Sequence, residues 1–500
     1  MVLNSGQELS SYTSSFLKED DSGVKIHDEK KLREEGIDTL AYTAALSDDS
    51  SLKHEASVMI RKIAPELGIN SSSIYEFYKA IGRGEVNPAP TTLRSGLPAT
   101  ASRALRAGHF DFSLREQGVD PCSPASLREA GRADEQGIGC GVKGFSVPAM
   151  NIRMINYDFS QVIFEEAQKI EAGAFIFEIA RSEMKYCAQD PDEFSASVLA
   201  AAIKTGWHGP VFIQGDHYQF KKEIFEKNPQ EEIDSIELLI KDSLIAQFYN
   251  IDIDASTLVD LSKEELSEQQ RDNYEMTAKL TEYIRQIEPA GVTVAIGGEI
   301  GHIGGKNSTV GDFEAFMKGY LDLIGEQKGL TKVSVQTGTS HGGIPDENGK
   351  VIEVAIDFSV LKGISKVARE KYKTAGPVQH GASTLPENMF SKFVENDTVE
   401  VHLATEFQNI IMDSMPKDLV EKMHQWTIEN CKSEREEGWN DTQFVYKLRK
   451  KSVGPFKKES WMLPPEDKEK IRNALAKKLN FLFESFNIAG TSHTVHKYIG

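Results

Sequence analysis

Read only for its apolar and polar positions, the chain changes character near residue 144. From residue 28 to about residue 83 apolar residues recur at helical spacing. Ile37, Leu40, Ala41 and Ala44 form one set, and Val58, Ile60, Ile63 and Leu67 another, with Gly68 and Ser71 to Ser73 as punctuation. Two or three helices packed as an amino-terminal appendage are expected, with a structural role. The 24 or so residues before them are polar and serine-rich and read as a loose tail. Residues 87–143 show no periodicity. Proline, glycine, alanine and serine accumulate there, and arginine replaces lysine at Arg94, Arg103, Arg106, Arg115, Arg128 and Arg132, so the segment reads as a poorly ordered insertion or linker.

From residue 144 onward short apolar runs alternate with helical patterns, which is the signature of a parallel sheet with crossover helices. Candidate strands fall at 145–152, 174–179, 211–215, 249–254, 292–298, 332–337, 377–379 and 400–404. The helical segments between them run over 159–172, 194–205, 232–247, 268–287, 312–324, 358–371 and 387–394. Eight strands close a TIM (β/α)8 barrel. Residues 414–490 supply further helices, the last over about 465–486, around a basic loop at Lys447, Arg449, Lys450, Lys451, Lys457 and Lys458. The expected organisation is a helical appendage over 1–86, a low-order segment over 87–143, and a barrel with a helical carboxyl-terminal extension over 144–500.

Four of the strand runs end in residues whose chemistry fits together. The third ends in Gly-Asp-His at 215–217, the fifth in Gly-Gly-Glu at 297–299, the sixth in Thr-Gly-Thr-Ser-His at 337–341, and the seventh in Gln-His-Gly-Ala-Ser at 379–383. In a barrel the carboxyl ends of all strands point to one mouth, so His217, Glu299, His341 and His380 converge there. Three histidines and a carboxylate are what a catalytic zinc with an open coordination position requires.

Charge and cysteine usage narrow the function further. Acidic residues outnumber basic ones by 76 to 57, a formal net charge of -19, which argues against non-specific binding to nucleic acid or to an anionic membrane. An anionic substrate must therefore meet a local positive site. The four cysteines, Cys122, Cys140, Cys187 and Cys431, contain no Cys-x-x-Cys pair, and no apolar run approaches the roughly 18 residues needed to span a bilayer. A reduced, cytoplasmic protein is expected.

The runs Gly-Asp-His at 215–217, Gly-Glu-Ile-Gly-His-Ile-Gly-Gly at 298–305, Gly-Thr-Ser-His-Gly at 338–342 and His-Gly-Ala-Ser at 380–383 resemble, in order, those of the class II, zinc-dependent fructose-bisphosphate aldolases. The resemblance covers about residues 144–413. It implies that His217, His341 and His380 bind Zn2+, with Glu299 as an alternative ligand. Asp216 matches the aspartate that exchanges a proton with the C4 hydroxyl of a phosphorylated ketose as the C3–C4 bond breaks or forms. Gly342, Gly381, Ser383 and Thr405 match the phosphate-binding positions, beyond strands seven and eight where barrels commonly hold phosphate. Asp254 corresponds to a supporting residue on the fourth strand. A homodimer is implied by the resemblance alone.

The departures are as specific. Lys306 and Asn307 stand where the family usually has paired acids after the Gly-Gly of a mobile loop, leaving Asp216, Glu299 or His302 as substitute bases. His402 and Ala404 stand where the family has an asparagine and an aspartate. His302 reads equally as a flexible acid or base and as an exposed loop histidine. His402 reads as a charged donor to phosphate or as a hydrogen-bonded strand histidine. The basic loop either reaches a distal phosphate or forms a solvated face. The expected activity is reversible cleavage of a phosphorylated ketose, fructose 1,6-bisphosphate first, into dihydroxyacetone phosphate and an aldehyde. A tagatose-type ketose phosphate, a non-catalytic barrel that binds zinc and sugar phosphate, and a zinc hydrolase are the alternatives.

Overall fold

In the computed structural model the described residues are 1–20, 23–86, 144–301, 306–338, 344–345, 351–352 and 356–499. The expected low-order segment at 87–143 lies outside them, as do His302, His341 and Gly342.

Eight parallel strands close into a barrel in simple sequential order. They are β1 (Val147–Asn151), β2 (Ile176–Ala180), β3 (Ile213–Gln219), β4 (Asn250–Asp254), β5 (Ala295–Glu299), β6 (Lys332–Val335), β7 (Pro377–Gln379) and β8 (Glu400–Leu403). β8 pairs with β1, with Val401 opposite Pro148 and His402 opposite Ala149, so the sheet has no free edge. A TIM (β/α)8 barrel is thus the fold. The run at 211–215 is split. Gly209–Val211 leaves the barrel and pairs in parallel with Ile69–Ser71, and β3 begins at Ile213. Helices return the chain after each strand; that at Pro191–Thr205 starts on an Asp190 cap with proline at its first position and ends on Gly206 at φ +69°.

The amino-terminal helices share the core of the barrel: one continuous apolar cluster runs from Leu3 to Val495. Ile37–Leu46 and Ser50–Glu66 pack on the crossover helix Pro191–Thr205. Tyr75–Gly82 lies across the amino-terminal opening of the barrel. The Ile74 backbone N–H donates to Asn250 Oδ1 at 2.8 Å at the start of β4, and the Tyr78 hydroxyl donates to Glu400 at the start of β8. Gly82 passes so close to the segment before β7 that a Cβ would lie 2.4 Å from the Lys373 carbonyl oxygen. The serine-rich first residues also differ from expectation. Gly6–Thr13 is a helix and Leu17–Asp20 pairs with Gly23–Ile26, because Leu3, Leu9, Phe16 and Leu17 are buried against the helices that follow.

The long helix Pro465–Ser485 packs against Asn156–Lys169 and Thr405–Ser414. Thr491 Oγ1 accepts from the Gly173 and Ala174 backbone N–H groups at 3.0 and 3.1 Å, tying the end of the chain to the approach to β2. The basic loop is not simply a solvated face. Lys457 is buried with its Nζ 2.5 Å from both carboxylate oxygens of Glu193, and Arg449 donates to Asn409 Oδ1 at 2.6 Å. No helix among the described residues is long and apolar enough to cross a membrane.

Candidate metal centre

The strand ends bring the predicted residues together by a local irregularity in β3. Successive side chains on a strand face opposite sides, so Asp216 and His217 cannot both point inward on regular backbone. Between Gly215 and Tyr218 the register of β3 on β4 shifts, and His217 takes φ +43°, a conformation unfavourable for a residue with a Cβ. Both side chains then face the barrel interior, buried at 4% and 9% exposure. Gly215 is required here. A Cβ on it would lie 2.4 Å from the Tyr218 ring, whose hydroxyl is fixed 2.5 Å from Ser243 Oγ.

His217, His380 and Glu299 form a buried group whose ligating atoms all lie within 4.8 Å of one another. The His217 and His380 rings are 4.2 Å apart between centroids. His217 Nδ1 is 3.0 Å from both Asp254 Oδ2 and Glu299 Oε2, and because a carboxylate only accepts, Nδ1 carries the proton and Nε2 is the nitrogen open to a metal. Asp254 is fixed in turn by the Ser256 hydroxyl at 2.6 Å and the Gln219 amide at 2.6 Å. His380 Nε2 is 2.9 Å from Ser334 Oγ. This donor set fits a divalent metal.

Electrostatics agree with such a site. Burial opposes charge on His217, but Asp216 and Glu299 outweigh it and hold the imidazole well above its ordinary value. Burial, then the Asp254 carboxylate, push Glu299 up to about 7 against the attraction of His217. These are groups that share protons where a dication would replace them.

On the phosphate side, Gly381 follows β7 with φ +69°, and Ser383 Oγ accepts the backbone N–H of Glu406 at 3.4 Å in the first turn of Thr405–Ser414. Gly381, Ser383 and Thr405 are therefore on neighbouring strand ends at the mouth.

His402 follows the second reading of the sequence, a hydrogen-bonded strand histidine, and not that of a donor to phosphate. It is 4% exposed and points into the barrel, its ring 4.1 Å from that of His380. Its Nε2 lies 2.6 Å from Glu400 Oε1; its Nδ1 lies 3.0 Å from Glu178 Oε2 and 3.2 Å from Asp216 Oδ1. Below it the even-numbered strands contribute a layer of four charged side chains: Glu178 from β2, Asp252 from β4, Lys332 from β6 and Glu400 from β8. Lys332 Nζ donates to Glu400 Oε1 at 2.5 Å, Gln214 Oε1 at 2.7 Å and Asp252 Oδ2 at 3.0 Å. Gly297 makes room for this ammonium, since a Cβ there would come within 2.9 Å of Lys332 Cε. Burial raises Glu400, but Lys332 and His402 outweigh it and hold the carboxylate well below its usual range. Burial pushes Glu178 upward against the attraction of His402.

None of this layer was singled out from the sequence. The signal was present as isolated charges in apolar strands, Ile-Phe-Glu-Ile, Ile-Asp-Ile and Val-Glu-Val-His. Such a charge in a buried parallel strand has nowhere to point but the barrel axis or the helix layer.

The chain is thus a closed (β/α)8 barrel with imidazoles and carboxylates that could hold a metal ion buried at its carboxyl-terminal mouth. The class-II fructose-bisphosphate aldolase family model matches residues 140–484, and the chain belongs to that family. Among solved structures, the fructuronate-tagaturonate epimerase UxaE from Cohnella laeviribosi with two glycerols is 13% identical, with 69% of this chain and 82% of that chain covered at a TM-score of 0.51. The YdjI aldolase from Escherichia coli K12 is 12% identical over 70% of this chain and 94% of that one, at 0.43. The fructose-bisphosphate aldolase from Campylobacter jejuni is 16% identical over 69% and 91%, at 0.41. At 13% identity the likeness to the epimerase concerns the fold alone. A comparison with curated proteins gave no match.

Proposed function

We propose that the chain is a metal-dependent aldolase that reversibly cleaves a phosphorylated ketose, fructose 1,6-bisphosphate first, giving dihydroxyacetone phosphate and an aldehyde. The observation that carries this reading is the β3 irregularity, which turns Asp216 and His217 to the same interior within reach of His380 and Glu299. A strained backbone holding a carboxylate beside candidate metal ligands is an arrangement for proton transfer next to a Lewis acid.

In this reading His217 and His380, with His341 from the sequence pattern and Glu299 as an alternative, would hold the zinc. When bound, the metal supplies Lewis-acid polarisation of the ketose carbonyl. Asp216 takes the proton of the C4 hydroxyl as the C3–C4 bond electrons move toward the C2 carbonyl, and returns it in the condensation direction. Asp254 keeps the His217 ring in one tautomer and orientation. Gly381, Ser383 and Thr405 receive the phosphate at the mouth, where a helix first turn offers backbone N–H groups.

A specific observation favours a second reading on the same chemistry. His402 lies inside the barrel against Asp216 and Glu178, where the family resemblance expects an asparagine, so the lining beneath the substrate differs. The substrate would then be another ketose phosphate, of tagatose type. Cleavage of a panel of ketose mono- and bisphosphates by zinc-loaded protein, with a chelated control, tests both. Chelator-sensitive cleavage of fructose 1,6-bisphosphate is expected. Cleavage of another ketose phosphate alone would move the assignment to the second reading, and no cleavage by metal-replete protein would overturn both.

A further inference from the structure

The turn at His217 carries Asp216 to the interior, but it sets only the direction of the Cα–Cβ bond. The torsions beyond are settled by what the carboxylate meets. One of the groups it meets does not come from a neighbouring strand. His402 stands on β8, which pairs with β7 and β1, whereas Asp216 stands on β3, which pairs with β2 and β4. The approach of His402 Nδ1 to Asp216 Oδ1, at 3.2 Å, therefore crosses the lumen. The same oxygen faces His217 Nε2 at 3.9 Å, the longer of the two contacts.

The ring of His402 is held at both edges. Nε2 lies 2.6 Å from Glu400 Oε1, and Nδ1 lies 3.0 Å from Glu178 Oε2 as well as 3.2 Å from Asp216. Burial opposes charge on this imidazole, but Glu178 and Asp216 outweigh it, so the ring is a cation. Its attraction to Glu178 and Asp216 is that of charge, since Nδ1 aligns on neither oxygen for a hydrogen bond. Glu400 is fixed in turn by Lys332 Nζ at 2.5 Å and by the Gln214 amide at 3.0 Å, and that amide also donates to Glu178 Oε2 at 3.0 Å. Asp216 stands two residues nearer the mouth than this level, because Gln214 is the residue of β3 that pairs with Glu178. His402 is thus a rigid cation anchored in the layer below and facing the carboxylate above.

The asparagine that the family resemblance expects at this position offers one neutral amide nitrogen. It has neither the charge nor two donors on opposite edges with which to reach Glu400 and Asp216 at once. We infer that His402 is a positioning residue: pinned by Glu400, it fixes the orientation of the Asp216 carboxylate from across the lumen and acts on the reaction only through Asp216. The catalytic part of this role rests on the aldolase reading; the pairing of the two side chains does not.

Four zinc-loaded proteins test it: the natural sequence, His402→Asn, Asp216→Asn and the double variant, each with its metal content measured. With fructose 1,6-bisphosphate, or whichever ketose phosphate is cleaved, kcat of His402→Asn is expected to fall by about tenfold to a hundredfold, as for a misplaced reacting group, with KM within about twofold. In the Asp216→Asn background the same substitution is expected to cost less than about twofold, because residues that act as a unit are not additive. Urea unfolding of the four proteins reads the pairing without turnover. The drop in midpoint caused by His402→Asn is expected to shrink once Asp216 is neutral. His402→Gln takes the place of His402→Asn should that variant fail to fold. A raised KM at unchanged kcat, or equal losses of kcat in both backgrounds, would overturn the positioning role, and equal drops in midpoint in both backgrounds would overturn the pairing. If the natural sequence cleaves no ketose phosphate, the aldolase reading fails and the catalytic role with it, while coupled midpoints still uphold the pairing.

Discussion

The Tyr78 hydroxyl donates to the Glu400 carboxylate across 322 residues of sequence. Glu400 Oε1 in turn receives His402 Nε2, and His402 Nδ1 lies 3.2 Å from Asp216. A single line of polar contacts therefore runs along the barrel axis, from the amino-terminal helix that covers the bottom to the carboxylate proposed for proton transfer at the top. Replacing Tyr78 by Phe removes a buried hydrogen bond to a charged group, which is worth about 1–3 kcal/mol. Urea unfolding should show a loss of that size; a loss below about 0.5 kcal/mol would mean that Glu400 is held adequately without the appendage.

Lys332 is the only lysine in the interior layer, and it holds its charge because Asp252 and Glu400 outweigh the penalty of burial. Lys332→Met leaves both carboxylates without their cation. Breaking a buried pair from one side costs about 3–5 kcal/mol. The variant should unfold at markedly lower denaturant, and Lys332→Met combined with Glu400→Gln should recover part of the loss. Equal stability of the single variant and the natural sequence would show that protons, not Lys332, neutralise the layer.

Asp216→Asn keeps the shape of the side chain and removes its capacity to take a proton. Aldol turnover should fall by about a hundredfold or more, with the ion at His217 and His380 retained. Steady-state rates measured alongside metal content separate the two effects. Undiminished turnover in a metal-replete variant would remove Asp216 from the chemistry.

Metal removal should matter more as pH rises. In the metal-free protein Glu299 is raised to about 7, above a carboxyl in an unfolded chain. The native state thus holds more protons than the unfolded state between about 4.3 and 7, and the stability this group contributes is present below that window and lost through it. A bound cation displaces the same proton, and that on His217, so its affinity grows with pH. The difference in Tm between metal-loaded and metal-free protein should widen from pH 6 to pH 8. A difference that narrows over that range would take Glu299 out of the ligand set.

The sequence by itself determined the barrel. Its eight apolar runs, spaced by helical segments, became β1–β8 to within a few residues, because a parallel strand buried on both faces must be apolar and a crossover must be long. It also marked Asp216, His217, Glu299 and His380, since polar residues closing apolar runs have one mouth to share. What it left unread depended on which side a residue faces and on contacts between distant segments. The loose tail expected at the amino terminus became a helix and a hairpin once partners for Leu9 and Phe16 were supplied by helices further along. Only the tertiary structure decided that a register shift turns His217 inward, and that Glu178, Asp252, Lys332 and Glu400 form one charged layer. It alone brought His402 against Asp216 and Tyr78 under Glu400. Each is a matter of side-chain direction or of pairing across a hundred residues or more, and local hydrophobic pattern constrains the first only by alternation and the second not at all.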